Sequence, residues 1–369
     1  APRCVPSPNV PLPDLVRSYR GLSPGLYPDG RGTPDEAHVK AGLAQATRIQ
    51  PLDVNGRPSA TGQIVLLSIG MSNTSAEFGR FVQEALATPA INRRLAIVNG
   101  ALSGADSTMW ADPASPAWQQ ARTALRGRYS PAQVQAIWMK HARLRTVPFP
   151  EEVEQFATDL EAVVRISRET FPNLRIIYVS SRTRSGAETR RGPGEPQAYE
   201  TAFAVRRLIE RQAGAAGGSR APWVTWGPYL WANATPRSDG LVWECGDLQA
   251  DLLHPSDSGS LKVAQQLMAF FMTEPTAAPW FLEEGQRKGA EAPRIEASSV
   301  AGRAPLAVDF GANADSAGRH YWSFGDGTSS LVAKPRKTFY REGTYEVRLT
   351  VTDAQGRWSR ASVEVRVER

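Results

Sequence analysis

Sulfur and imidazole are scarce in this chain: two cysteines, Cys4 and Cys245, and four histidines stand among 369 residues. No Cys-x-x-Cys pair or close Cys/His cluster occurs, so a structural zinc site is not expected, nor any other metal. No apolar run approaches the roughly 20 residues of a membrane span, so no membrane partner is expected. Charge of one sign is not blocked together. The 43 Lys and Arg against 37 Asp and Glu leave a net charge of +6. That excess is scattered, which argues against a nucleic-acid partner and suits a mild preference for acidic substrates equally well. A Gly-x-Ser-x-Gly elbow is missing, which argues against the α/β-hydrolase fold. Missing too are Gly-x-Gly-x-x-Gly and the P-loop motif, so no nucleotide cofactor is expected.

The remaining texture is that of an ordinary globular protein. The chain opens on Ala1-Pro2-Arg3-Cys4 without a methionine and reads as a processed export product, secreted or periplasmic. In that compartment a disulfide from Cys4 to Cys245 would tie the N-terminal arm to the body. Residues 1–60 are rich in Pro and Gly and read as irregular chain laid on a surface, with one short helix near His38–Gln50.

Gln63–Thr74, QIVLLSIGMSNT, is the most informative stretch. Its β-branched apolar run predicts a buried strand. Gly70 then opens a small-residue turn, and Phe78, Phe81, Val82 and Leu86 fall at helical spacing. Ser72 thus stands at the carboxyl end of a strand beside a helix N-terminus. Sites in open α/β sheets lie there, and helix N-caps do as well. Further strands are expected at Leu95–Val98, Val134–Met139, Leu174–Val179 and Trp223–Tyr229. Helices are expected at Ser115–Leu125, Glu151–Glu169, Ala198–Gln212 and Ser256–Phe271. Such alternation indicates a parallel sheet covered on both faces.

The alternation stops near residue 273, and 283–292 is charged and punctuated by Gly and Pro, as a linker is. Beyond it Pro305–Phe310, Tyr321–Phe324, Gly343–Asp353 and Ser362–Val367 read as short alternating strands of a β-sandwich. Tyr321-Trp322-Ser323-Phe324-Gly325-Asp326-Gly327, then Tyr340, Gly343-Thr344-Tyr345 and Val347–Asp353, resemble the motifs of a polycystic-kidney-disease (PKD) repeat domain. That resemblance implies an immunoglobulin-like sandwich over 293–369, with Trp322 in its core and Gly-Asp-Gly as a turn.

Residues 61–282 resemble the SGNH (GDSL-like) hydrolases, whose fold is a flavodoxin-like three-layer α/β/α sandwich with a parallel sheet. Gly70-Met71-Ser72-Asn73 is similar to the nucleophile block in its Gly-Gln-Ser-Asn form. Gly104, with Gly100 as its neighbour, matches the block that supplies an oxyanion-hole glycine. Asp251-Leu252-Leu253-His254-Pro255-Ser256 matches the Asp-x-x-His block. The third block departs from the pattern: Trp138-Met139-Lys140-His141-Ala142 stands where an oxyanion-binding Asn or Gln is usual. Lys140 or His141 either donates in its place or remodels the site. The resemblance implies Ser72 as nucleophile, His254 as base and Asp251 as its orienting carboxylate. It implies the Ser72 and Gly104 amides as oxyanion donors and no cofactor; the irregular residues 1–60 are expected to pack on this hydrolase domain.

The substrate is less marked. Arg182, Arg184, Arg190 and Arg191 in loop 181–197, with Trp231 and Arg237 in loop 231–246, suit a carboxylated sugar polymer and equally suit solvated or packing roles. Asn73, Arg182, Arg184 and Trp231 are the candidate substrate contacts. The expected function is a secreted serine esterase acting on acetyl or other small acyl esters of a carbohydrate. A non-catalytic carbohydrate-binding or adhesion protein on the same scaffold, and a lipid esterase or acyltransferase, are the alternatives.

Overall fold

The computed structural model describes residues 6–186, 192, 194–214, 222–287, 293–313 and 318–369. The first half builds, in order, α1 (Glu36–Ala46), β1 (Ile64–Gly70), α2 (Ser72–Leu86), β2 (Leu95–Asn99), α3 (Ser107–Trp110), α4 (Pro116–Leu125) and β3 (Val134–Lys140). Next come α5 (Glu151–Thr170), β4 (Ile176–Val179), α6 (Gln197–Gly214), β5 (Trp223–Trp226), α7 (Asp257–Thr273) and α8 (Ala278–Phe281). Helix starts follow local chemistry. Asp35, Asp106, Ser115 and Ser256 each accept a backbone N–H from the first turn of α1, α3, α4 and α7, as N-caps do.

All seven residues of β1 are buried, as are those of β3. A strand covered on both faces is apolar in a near-continuous run rather than at alternate positions, and Ser68, Gln135 and Lys140 are the buried polar exceptions in these two. The sheet runs β2-β1-β3-β4-β5, every pair parallel. This is the flavodoxin-like order, whose topological switch lies at β1. Strand alternation divides the interior in two. Val65, Leu67, Ile69, Ile137, Met139 and Ile177 face α4, α5 and α6. Ile64, Leu66, Ala136, Trp138, Ile176 and Tyr178 face α2, α7 and α8. The three-layer α/β/α body expected from the sequence is therefore present.

The C-terminal part builds β6 (Ile295–Ala297), β7 (Ala301–Arg303), β8 (Leu306–Ala312), β9 (Arg319–Ser323), β10 (Ser329–Ser330), β11 (Arg336–Phe339), β12 (Gly343–Thr352) and β13 (Trp358–Glu368). They form two sheets, β10-β9-β12-β13-β7 and β11-β8-β6. Between them Phe310, Trp322, Phe324, Phe339, Tyr345, Val347 and Leu349 make a separate core.

The sandwich is also part of the α/β body. Tyr321 and Trp358 are buried in the α/β core among Met268, Trp280 and Phe281 rather than in the sandwich's own. The Trp358 indole donates to the Glu283 carbonyl (2.8 Å), and the Thr350 hydroxyl donates to the Met272 carbonyl at the end of α7 (2.7 Å). Ser329 donates to Gln266 on α7 (2.9 Å). The arm is locked in as well: Leu12 and Leu26 are core residues, the Trp226 indole donates to the Leu26 carbonyl, and Arg341 of the sandwich donates to the carbonyls of Leu15 and Gly30.

Candidate active site

Gly70 ends β1 with φ +151°, a backbone region that L side chains rarely adopt. A Cβ there would lie 2.4 Å from both the Lys140 carbonyl oxygen and Thr74 Oγ1, so only glycine lets the chain turn from β1 into α2 this tightly. Met71 takes the cap position and Ser72 is the first helical residue. Ser72 is therefore not the N-cap that one sequence reading allowed. Its hydroxyl lies 2.8 Å from His254 Nε2, across 182 residues of chain.

The loop before α7 presents His254. Leu252 has φ +56°, unusual for a residue with a branched side chain. That reversal lets Asp251 Oδ1 accept the backbone N–H groups of both Leu253 and His254 (3.0 Å each). Asp251 Oδ2 lies 2.6 Å from His254 Nδ1. A carboxylate at Nδ1 holds the ring proton there and leaves Nε2 as the acceptor for the serine hydroxyl. Burial pushes the Asp251 carboxyl up, but the His254 amide, the His254 ring and the Leu253 amide together outweigh it and hold the pKa below the ordinary value. The acid–base pair is open to solvent, with about a quarter of each side chain exposed (24% and 23%). Asn73 secures the loop to α2 by donating from its amide to the Leu253 carbonyl (2.8 Å).

Beside these groups lies a cavity of about 360 Å³. Met71, Leu144 and Leu253 give it apolar wall, and Asn73, Thr74, Lys140, His141 and Arg182 give it polar wall. Ser103 and Gly104 stand at its rim, exposed. Gly104 has φ +80° with open space around it, and among the described residues its N–H has no acceptor; the Ser72 N–H likewise has none. Gly100, the neighbouring alternative, is buried and its N–H is already given to the Ser68 carbonyl (3.1 Å).

Lys140 ends β3 fully enclosed, and its ammonium pairs with Glu77 on α2 at 2.6 Å, with 2% and 0% of the two side chains exposed. Burial pushes the Lys140 pKa down and the Glu77 pKa up, and each partner offsets the other's shift. The ammonium that the sequence reading offered as an oxyanion donor is thus already held by a carboxylate. Glu77 went unremarked in the sequence. The available signal was a carboxylate beside Phe78 on the helix face that turns inward, matched by a lysine closing the largely apolar strand β3.

His141 follows, 3% exposed and packed edge-on against Trp110. Burial drives its pKa down to about 3, only partly countered by the Asp106 carboxylate, so the imidazole is neutral at any ordinary pH. Neither ring nitrogen has a hydrogen-bond partner among the described residues.

Arg182 is buried yet borders the cavity, and donates to Ser185 (3.2 Å). Two other expected substrate contacts lie in the interior instead. Arg184 is 1% exposed and donates to the Trp243 carbonyl, because a buried backbone acceptor claims its guanidinium. Trp231 is fully buried against Tyr199 and donates to Glu195 (2.9 Å). Arg237 likewise is fully buried and paired with Asp239. Arg190 and Arg191 lie outside the described residues. So does Cys4, and with it the expected Cys4–Cys245 bridge; Cys245 itself is exposed. Among the described residues no group of three or more His, Cys, Asp or Glu side chains could hold a metal ion, and no helix is long and apolar enough to cross a membrane.

Comparison with known proteins places the sandwich first by class. The PKD domain family matches residues 290–367, so this part of the chain is a PKD domain. Over 49 residues, 13% of this chain and only 5% of that protein, the chain is 43% identical to collagenase ColA of Bacillus cereus. The PKD1 domain of the Vibrio cholerae metalloprotease PrtV is 30% identical and is covered in full by 21% of this chain, with a TM-score of 0.19. For the α/β body, a carbohydrate esterase family 3 structure from Talaromyces cellulolyticus is 11% identical over 56% of this chain and 94% of its own, with a TM-score of 0.34.

Proposed function

We propose that this chain is a serine ester hydrolase that removes acetyl or another small acyl group from a carbohydrate through an acyl-enzyme. The observation that carries the reading is the unbroken series of short contacts from Asp251 to His254 to Ser72 beside a cavity. Ser72 Oγ attacks the acyl carbon while His254 Nε2 takes the hydroxyl proton. The carbonyl electron pair moves onto oxygen, where the amides of Ser72 and Gly104 receive it. As the intermediate collapses, the bond to the leaving alcohol breaks and His254 returns the proton to that alcohol. Water, deprotonated by the same ring, then releases the acid and restores Ser72. Asp251 stays ionised throughout and stabilises the imidazolium that forms.

A sugar leaving group, with hydroxyls and apolar ring faces, suits a cavity lined by Asn73, Thr74 and Arg182 together with Met71, Ala142, Leu144 and Leu253. A long acyl chain would want a longer apolar trough. Hydrolysis of p-nitrophenyl acetate tests the reading. Wild type should show a burst and turnover, and Ser72→Ala should lose about 10⁴–10⁶-fold in kcat. Equal rates in the two proteins would falsify the proposal. Release of acetate from acetylated polysaccharides, neutral against uronate-bearing, then identifies the carbohydrate.

A further inference from the structure

His141 stands where three segments of the site meet. β3 pairs with β1 so that Lys140 lies opposite Gly70, directly before the nucleophile turn. The loop carrying Gly104 is fixed to the same place from the other side. The Leu102 N–H donates to the Gly70 carbonyl (3.0 Å), the Ser107 N–H donates to the Ala142 carbonyl (2.9 Å), and the Leu144 N–H donates to Asp106 Oδ2 (2.9 Å). His141 therefore sits between the Ser72 turn and the Gly104 loop, in the wall of the catalytic cavity.

A buried imidazole with both nitrogens unsatisfied is costly and uncommon, since buried polar groups nearly always find partners. Trp110 packs on the ring edge-on and offers it nothing polar, because no bond joins the Trp110 indole N–H to any described residue. Lys140, one residue away, is 2% exposed and its ammonium is turned to Glu77, whose carboxylate it neutralises. Among the described residues, His141 is the buried side chain lining this cavity whose nitrogens have no partner, beside the unpaired N–H groups of Ser72 and Gly104.

We propose that the His141 ring N–H is the third oxyanion donor, completing with the Ser72 and Gly104 amides the set that receives the carbonyl oxygen as Ser72 attacks. This rests on the ester-hydrolase reading above. As the C–O π pair becomes an oxygen lone pair, the ring N–H hydrogen-bonds that oxygen without transferring its proton. His254 alone moves the serine proton. A neutral donor suits the task. Burial keeps the His141 ring neutral, so it offers its N–H without becoming a competing acid. Its partner is absent in the free enzyme and appears with the transition state, so its effect falls on kcat rather than on substrate binding.

The test is acylation kinetics on p-nitrophenyl acetate with His141→Phe, His141→Gln and Ser72→Ala. His141→Phe should lower the acylation rate about 100-fold or more at every pH, with KM little changed. His141→Gln, which keeps a neutral N–H, should recover at least tenfold of that loss. Nitrogen NMR of the His141 ring in the wild-type protein adds a measurement independent of any variant's folding: its shift should move when a phosphonate occupies Ser72. Full acylation rates in His141→Phe, or a ring shift that ignores the phosphonate, overturn the assignment. Activity surviving in Ser72→Ala overturns the hydrolase reading instead, so the two failures are distinguishable.

Discussion

Two acid–base pairs lie near Ser72, and they are built in opposite ways. Asp251–His254 lies in a loop turn, a quarter exposed, with the carboxylate braced by two backbone N–H groups. Glu77–Lys140 joins a helix to a strand, and water is shut out from it. The open pair can gain and lose a proton during a reaction, because solvent and the cavity both reach it. The closed pair cannot change charge cheaply: removing one partner strands the other in a low-dielectric interior. Under the proposed function the first pair serves turnover, while the second ties α2 to β3 beside Ser72.

Breaking each pair separately should give opposite phenotypes. The largest effect is expected from Asp251→Asn, which leaves the geometry but loses the correct ring tautomer. About 10⁴-fold in kcat should disappear while the thermal midpoint stays close to wild type. Glu77→Ala should do the reverse in kind, destabilising the fold by about 3–5 kcal/mol in urea titration. Replacing both partners, as Glu77→Leu with Lys140→Met, should restore most of that stability, since a well-packed apolar pair can match a buried ion pair. A double variant as unstable as the single would show that the charges themselves, not their pairing, hold the register.

A smaller effect comes from His141, which lies between the pairs. In the unfolded chain its imidazole protonates near the ordinary value of 6.5, whereas in the folded protein burial lowers the pKa to about 3. The unfolded state therefore binds more protons across that window. Its contribution to stability is intact above about pH 6.5 and is lost as pH falls toward 3, by at most about 1.4 kcal/mol per pH unit. Urea midpoints of wild type and His141→Phe between pH 7 and pH 4 should differ in slope, with the variant flatter.

Much of the body was legible because its signals are local. Ile64–Leu67 is a run that only a doubly covered strand accommodates. Asp251 and His254, three apart, needed only one turn to touch. Glu77 and Lys140 were not legible as a pair because 63 residues separate them. Neither neighbourhood shows that the other is near. The arginine and tryptophan expectations at Arg184 and Trp231 went astray for a related reason. Both side chains carry polar tips that serve a solvent face or a buried acceptor equally well, and the Trp243 carbonyl and Glu195 decide the matter only after folding. On β12, Tyr345, Val347, Leu349 and Val351 alternate into the sandwich core, yet Thr350 and Thr352 on the opposite face are buried as well, with Thr350 bonded to the end of α7.

That contact, together with Tyr321 and Trp358 lodged among the helices of the larger unit, bears on how such a protein can be altered. A protease cutting between the two halves would nick the chain without freeing a working fragment. Recombination at the same point would give the front half a neighbour lacking the two aromatic rings that plug its flank. The C-terminal sandwich is a structural wall of the α/β body, and the pair must be inherited, expressed and engineered as one piece.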